Sequence, residues 1–449
     1  MKNLIANRSG RIFLPVILLL MTAAASRSQS TVKQLTAADY AHAEHFLAQY
    51  IHPLVFNTRI TPFWVDEDHF WYRSNTPRGI QYFMVNAKKG TRKEITYDQV
   101  PKSPKKTPVP QYAVISPDGL KAAFIREYNL WVRNLKTGEE TQLTTDGVKD
   151  YGYATNNAGW TKSKRPVLLW SPDSKKIATF QHDARGVGKL YLVSTKVGHP
   201  DLKAWKCPLP GDSLIFRIRR VVIFLDGPRV VSLKMSPDPH RGTIADHITT
   251  RRGNLGDAQW SPDGSTLAFV SSSRDHKTAT LRIANPETGE VRTVLTEKSD
   301  TFFESGYNKV NWKVLFDTNE VIWFSQSSNW GHLYLINLKN GSLKHAITKG
   351  KWNVLQVLRL DEAHRMIYFT GAGREPGDPY FQYFYRVRMN GSDLTLLTPD
   401  SANHTISLSQ DGKYFIDTYS TPTTPPVIDL RNAKGKKILT LEKADISQL

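Results

Sequence analysis

The sequence predicts an all-β fold, an eight-bladed β-propeller preceded by a short amphipathic helix. Three observations predict it. A turn phrase, Ser-Pro-Asp-Gly or a close variant, recurs along the chain; short apolar runs follow each copy; and the acids of the turns keep a nearly constant period. The clearest copy opens at Trp260-Ser261-Pro262-Asp263-Gly264. Proline presets φ for such a turn and glycine tolerates φ > 0. Leu267-Ala268-Phe269-Val270 then reads as a buried strand, followed by Leu281-Arg282-Ile283-Ala284, a Thr288-Gly289 turn and Val291-Arg292-Thr293-Val294-Leu295. A turn with successive short antiparallel strands is one propeller blade.

Asp68, Asp118, Asp173, Asp263, Asp317, Asp361 and Asp411 step by 50, 55, 90, 54, 44 and 50 residues. The step of 90 leaves room for one unmarked unit, which the apolar runs within Ser213–Leu233 are expected to fill. That makes eight units of roughly 45–55 residues, within the range of propeller repeats. A β-sandwich would show shorter spacing and no repeated phrase.

Taken in order, the chain begins with a basic stretch carrying Lys2, Arg8 and Arg11, then ten apolar residues from Ile12 to Met21, then the small residues Thr22-Ala23-Ala24-Ala25-Ser26. This is the pattern of a secretory signal peptide, placed at 1–28, with an uncleaved anchor as the alternative. No later segment holds eighteen apolar residues, so no membrane span is expected after cleavage, and the mature chain is expected in the periplasm or outside the cell. Residues 30–60 form a lead-in and helix. Thr36 and Asp39 suit a capping box, and Tyr40, Ala43, Leu47, Tyr50 and Ile51 fall at helical spacing, predicting one helix over about 37–50. Its apolar face needs a partner, either the propeller rim or another domain. The propeller itself is expected over 61–449. Degenerate copies begin at Phe63 and at Val321, Met366 and Ser409; stronger ones begin at Ile115 and Trp170.

The formal net charge is +19. Four cationic residues lie in the first 29, so a mature chain carries about +15. Basic residues are otherwise spread, clustering only at Lys102–Lys106 and at Lys434-Gly435-Lys436-Lys437. This reads as a basic solvated surface, and no nucleic-acid partner is expected. Cys207 is the single cysteine, so no intrachain disulfide or cysteine metal site exists. The thirteen histidines fall in no ligand spacing; His240 and His247, seven apart, match no known site. Neither a metal nor a cofactor is expected. Trp160, Trp170, Trp260, Trp312, Trp323 and Trp330 read as blade-packing residues, with a stacking platform as the alternative. Gly371–Gly377 lacks dinucleotide spacing and reads as a loop. Sequons stand at Asn340, Asn390 and Asn403.

The opening helix, the ordered turns and several phrases together resemble the N-terminal half of dipeptidyl peptidase IV-like serine peptidases of the prolyl oligopeptidase clan. The phrases are Pro208-Leu209-Pro210-Gly211-Asp212, Ser273-Arg274-Asp275-His276, Asn329-Trp330-Gly331-His332-Leu333-Tyr334 and Ala402-Asn403-His404. The resemblance covers nearly all of 35–449. It implies an eight-bladed propeller that caps a C-terminal α/β-hydrolase domain, guards access to it and contributes substrate-binding side chains.

The chain departs from the family in two ways. It contains no Gly-x-Ser-x-Gly, hence no nucleophile elbow, and by itself is expected not to hydrolyse peptide bonds. The family also holds the substrate's free amine with a Glu pair. The matching stretch here is 150–160, and no glutamate lies between Glu140 and Glu287. Neutralising an ammonium there falls to Asp150 or to an acid from elsewhere. The resemblance further implies a propeller arginine on a substrate carbonyl, for which Arg73 and Arg78 are the candidates, with a solvated or ion-paired arginine as the alternative.

Two functions follow. The first is the non-catalytic propeller of an exported dipeptidyl peptidase IV-like serine peptidase. It would gate and bind peptide substrate for an α/β-hydrolase domain from the same gene product or a separate one, with a homodimer as a further possible assembly. The second is a stand-alone exported propeller binding a peptide, glycan or protein partner. They differ in what covers the helix at 37–50.

Overall fold

In this computed structural model the described residues are 34–102, 109–155, 163–240, 253–304 and 311–449. The signal-peptide segment, Trp160 and His247 lie outside them.

The recurrent phrase folds the same way at Ser116, Ser171, Ser261 and Ser409. The Ser171 hydroxyl donates to Asp173 Oδ1 and accepts from Lys176 N–H at 2.9 Å. Ser261 repeats this with Asp263 at 2.6 Å and Thr266 N–H at 2.9 Å, and Ser116 and Ser409 do so with Asp118 and Asp411. Each acid also accepts the N–H two residues on, as Ser265 N–H does to Asp263 at 3.0 Å. Ser273-Arg274-Asp275-His276 is a further copy: Ser273 donates to Asp275, and Lys277 N–H reaches Asp275 at 3.1 Å. The acid of that phrase is therefore a turn former.

Among the described residues seven larger antiparallel sheets follow in chain order, six of them four-stranded and the third six-stranded, spanning 63–95, 114–142, 169–232, 258–298, 313–346, 353–396 and 403–443. The third is enlarged by Tyr151–Tyr153 and Asp238–Pro239, and a separate two-stranded hairpin, Lys189–Ser194 with Asp201–Lys206, is inserted into it. Eight units were expected, and among the described residues the count differs. The segment Ser213–Leu233 does not make a unit of its own. Its strand Arg217–Phe224 pairs along the whole of Lys176–Asp183, and Arg229–Ser232 completes that third sheet.

Apolar clusters join successive sheets. Leu130 and Val132 of the second meet Ile177 and Val221 of the third. Phe180 and Val222 meet Trp260 and Phe269 of the fourth. Leu281 meets Trp323 of the fifth, whose Leu335 meets Phe369 of the sixth. Phe384 meets Phe415 of the seventh. Phe70, Tyr72 and Val85 of the first sheet then pack on Ile416, Ile428 and Leu430 of the seventh, which brings the first and last sheets together. Among the described residues no such cluster joins the first sheet to the second. Trp170 and Trp260 also tie neighbours polarly, donating from Nε1 to Val114 O at 3.1 Å and to Leu169 O at 3.2 Å. Between the third and fourth sheets Arg220 is buried, with Nε donating to Asp238 at 2.7 Å and the other guanidinium nitrogens to Asp257.

Two glycines set the distance between sheets. Gly289 and Gly341, at φ +73° and +71°, turn between the last two strands of the fourth and fifth sheets. A Cβ there would lie 2.4 Å from Ser232 O and 2.0 Å from Val294 O, so any side chain would push the preceding sheet away.

The predicted helix is present but divided, into α1 (Ala37–Glu44) and α2 (Ala48–Ile51). The Thr36–Asp39 capping box forms, and Leu47 is extended between the two helices. Neither buries a residue, so nothing offsets the cost of ordering one longer helix. Among the described residues no helix is long and apolar enough to cross a membrane.

Candidate functional site

The chain leaves the second sheet through Asp146-Gly147-Val148-Lys149-Asp150 and enters the third through Tyr151-Gly152-Tyr153. Gly147 and Gly152 allow it to run against Tyr128: a Cβ on Gly152 would lie 3.0 Å from that of Tyr128. Val148 and Tyr151 exchange both backbone hydrogen bonds, at 3.0 and 2.9 Å, and Asp150 occupies the turn with φ +66°. Tyr153 N–H donates to Tyr128 O at 2.8 Å, and Gly152 stands opposite His182 in the register.

The inserted hairpin closes over this corner. Its base is fixed by the Cys207 N–H bond to Gly188 O at 2.9 Å, and Lys189 pairs with Lys206 across it. The result is a cavity of about 350 Å³ lined by Tyr128, Lys149, Asp150, Gly152, Thr155, His182, Ala184, Lys189, Ala204, Trp205 and Lys206.

Three lysines therefore face one carboxylate. Lys206 Nζ lies 3.0 Å from Asp150 and donates to Ala184 O at 2.5 Å. Lys149 and Lys189 are exposed and make no ion pair among the described residues. His182 is 1% exposed, and its ring packs against those of His240 and Phe216. Burial, with added repulsion from His240 and Lys206, lowers its pKa to about 3, so the imidazole is neutral at neutral pH. Among the described residues its Nε2 has no hydrogen-bond partner. Outside the cavity, Arg185 grips Asp183 at 3.0 and 2.8 Å and lies over the Tyr151 ring at 3.8 Å. The hydrogen bonds from Arg185 hold the Asp183 carboxyl below the usual range. Arg219 donates to the Tyr151 hydroxyl. The arrangement brings charge, aromatic surface and a neutral imidazole together at one cavity.

Of the three residues singled out from the sequence, Asp150 lines this cavity. Arg73 and Arg78 do not. Arg73 is exposed on the strand His69–Thr76, opposite Tyr82, and Arg78 stands exposed in the turn that follows. Sequence reasoning passed over His182, Lys189, Trp205 and Lys206. Lys189 and its neighbours read as an ordinary blade strand, although Gly186-Val187-Gly188 precedes the hairpin and Gly198-His199-Pro200 lies in its turn. Among the described residues no group of three His, Cys, Asp or Glu is placed to hold a metal ion.

The chain is 25% identical over 365 residues to dipeptidyl peptidase 4 of Trichophyton equinum, and 26% over 374 to that of Arthroderma otae. The alignments cover 77% and 79% of this chain but 43% and 44% of those proteins, so the chain spans less than half the length of the curated relatives it matches. Two solved structures share its fold. Porphyromonas gingivalis dipeptidyl peptidase 4 aligns with a TM-score of 0.61 at 18% identity, over 86% of this chain and 50% of that one. A putative dipeptidyl aminopeptidase IV from Bacteroides ovatus aligns with 0.62 at 17%, over 87% and 61%. The model of the dipeptidyl peptidase IV (DPP IV) N-terminal region matches residues 75–426. With its ordered Ser-Pro-Asp-Gly sheets and a match across most of its length, the chain belongs to the dipeptidyl peptidase IV N-terminal region family.

Proposed function

We propose that this chain is the non-catalytic propeller of an exported dipeptidyl peptidase IV-like serine peptidase. It gates and binds peptide substrate for an α/β-hydrolase domain, which the same gene product or a separate one supplies. One observation carries the reading: α1 and α2 bury nothing, and Leu35, Tyr40, Phe46, Leu47 and Tyr50 are all exposed. Such an apolar strip suits a covering surface, and membership of the family supports a hydrolase domain as the cover. A homodimer is a further possible assembly.

Substrate binding is assigned to the cavity around Asp150, with Arg73 and Arg78 as outlying ligands of substrate carbonyls. Asp150 is already neutralised by Lys206 at 3.0 Å. A substrate ammonium must displace that lysine, so selection for a free N-terminus is weaker than a Glu pair would give. The second reading is a stand-alone exported propeller binding a peptide, glycan or protein partner, for which the cavity at Asp150 is the candidate site.

The native product distinguishes the readings. An immunoblot of the exported fraction, with antibody against the propeller, is expected to show a band larger than the 50.9 kDa chain by about 25–30 kDa, one domain of about 250 residues. The alternative supporting result is a band of the chain's own size that co-purifies with a serine-reactive hydrolase. A lone band without such a partner overturns the peptidase reading in favour of the stand-alone one. Recovery of the protein only from unexported material overturns export.

A further inference from the structure

Six lysines converge on one cleft where the first and seventh sheets meet. The cleft measures about 680 Å³, and Lys88, Lys89, Lys413, Lys434, Lys436 and Lys437 line it. The sequence shows only one of its clusters, Lys434–Lys437; the other lysines arrive when the first and last sheets come together.

The backbone that carries them is fixed. Asn86 Oδ1 accepts from Lys89 N–H at 2.8 Å, and Asn432 Oδ1 accepts from Lys434 and Lys436 N–H at 3.0 and 3.1 Å. Ala433 N–H donates to Lys413 O at 2.8 Å, joining the two sides of the seventh-sheet wall. Only part of the charge is balanced. Lys413 pairs with Glu67 and, at 3.2 Å, with Asp411, and Lys437 lies 3.5 Å from Asp429. Lys88, Lys89, Lys434 and Lys436 are exposed and make no ion pair among the described residues. Four unbalanced cations held by two pinned turns repel one another, and a ligand with closely spaced anionic groups relieves that repulsion.

We propose that this cleft binds an acidic polysaccharide, a flexible chain bearing carboxylate or sulfate groups. Two observations favour it over other polyanions. Stacking of nucleic-acid bases needs free aromatic faces, and the one aromatic ring in the cleft, Tyr414, is stacked on Trp64 and donates its hydroxyl to Asp68 at 3.0 Å. A lipid surface is met by a flat or convex basic face, whereas these lysines line a concavity. The site shares no lining residue with the cavity at Asp150.

Binding of a fluorescein-labelled heparin oligosaccharide to the full chain, followed by anisotropy over a salt series, tests the site. Two quadruple variants with equal charge loss are compared: K88Q/K89Q/K434Q/K436Q in the cleft, and K136Q/K298Q/K339Q/K351Q at exposed positions elsewhere. Near-ultraviolet circular dichroism checks that both fold. The cleft variant is expected to lose affinity by about tenfold or more, with a salt slope shallower by roughly one unit per lysine removed, while the control changes by less than about twofold. Equal losses in the two variants, or none in the cleft variant, overturn the site. Tighter binding of size-matched single-stranded DNA, or of phosphatidylglycerol vesicles, than of the oligosaccharide overturns the assigned occupant.

Discussion

His182 illustrates how burial becomes a pH dependence. Its pKa falls from 6.5 to about 3, chiefly because burial penalises the charged ring. Between those values the unfolded chain binds a proton that the folded chain does not, so stability rises with pH and falls on acidification. The slope approaches about 1.4 kcal/mol per pH unit. Substituting His182→Gln removes this titration. The stability difference between wild type and variant is expected to shift by about 2 kcal/mol between pH 7 and pH 5, in the variant's favour at pH 5. Urea unfolding at the two pH values measures it, and parallel behaviour would show that the ring is not held neutral. At this scale little of the site was legible in the sequence. Asp150 was found through a family phrase, but the cation that neutralises it, Lys206, lies on a hairpin whose docking depends on pairings far apart in the chain. Arg73 and Arg78 were named without an environment, and the structure leaves both exposed on a different sheet.

The inserted hairpin behaves as a separable element. Lys189–Ser194 and Asp201–Lys206 pair with each other and with no other described strand. Tyr191, Leu192, Val193 and Leu202 are exposed, so its removal uncovers little core. Replacing residues 190–205 by a short Gly-Ser turn is expected to move Tm by less than about 4 °C while removing one wall of the cavity and weakening peptide binding there. Differential scanning calorimetry and peptide titration measure the two effects; a large fall in Tm would show that the hairpin supports the third sheet. The same element explains which parts of the fold could be read in advance. A Ser-Pro-Asp-Gly turn is legible because its bonds reach only two and five residues along the chain, as from Ser261 to Asp263 and Thr266. Whether Val221-Val222-Ile223-Phe224 starts a new unit or completes an earlier sheet is decided by its pairing with Lys176–Asp183. Thirty or more intervening residues, with a hairpin among them, hide that pairing from any local pattern.

At the scale of the whole molecule, the join between the first and seventh sheets holds the earliest and latest strands together. Its apolar part is reinforced by a buried polar contact. Tyr72 donates its hydroxyl to Glu442 at 2.9 Å, and Arg92 donates to the same oxygen at 2.5 Å while lying over the Phe83 ring at 3.7 Å. Burial raises the Glu442 pKa even so, outweighing the pull of Arg92 and the bond from Tyr72. Backbone bonds between Phe56 and Asp445, at 2.9 and 3.0 Å, add a final clasp. Among the described residues the first sheet shares no apolar cluster with the second, so of the contacts described there this join holds it most firmly. Glu442→Ala leaves the Tyr72 hydroxyl and a partly buried guanidinium without their acceptor, at a cost of about 3 kcal/mol. A defect in an ordinary sheet interface would spread over two well-anchored neighbours. Here the loss is expected to appear first as faster amide exchange in His69–Thr76 and Gly79–Asn86, before Glu320–Ser325 of the fifth sheet changes. Hydrogen exchange read by mass spectrometry distinguishes these patterns. Uniform acceleration across all seven sheets would mean that the ring unfolds as one unit and that the first sheet is no weaker than the rest.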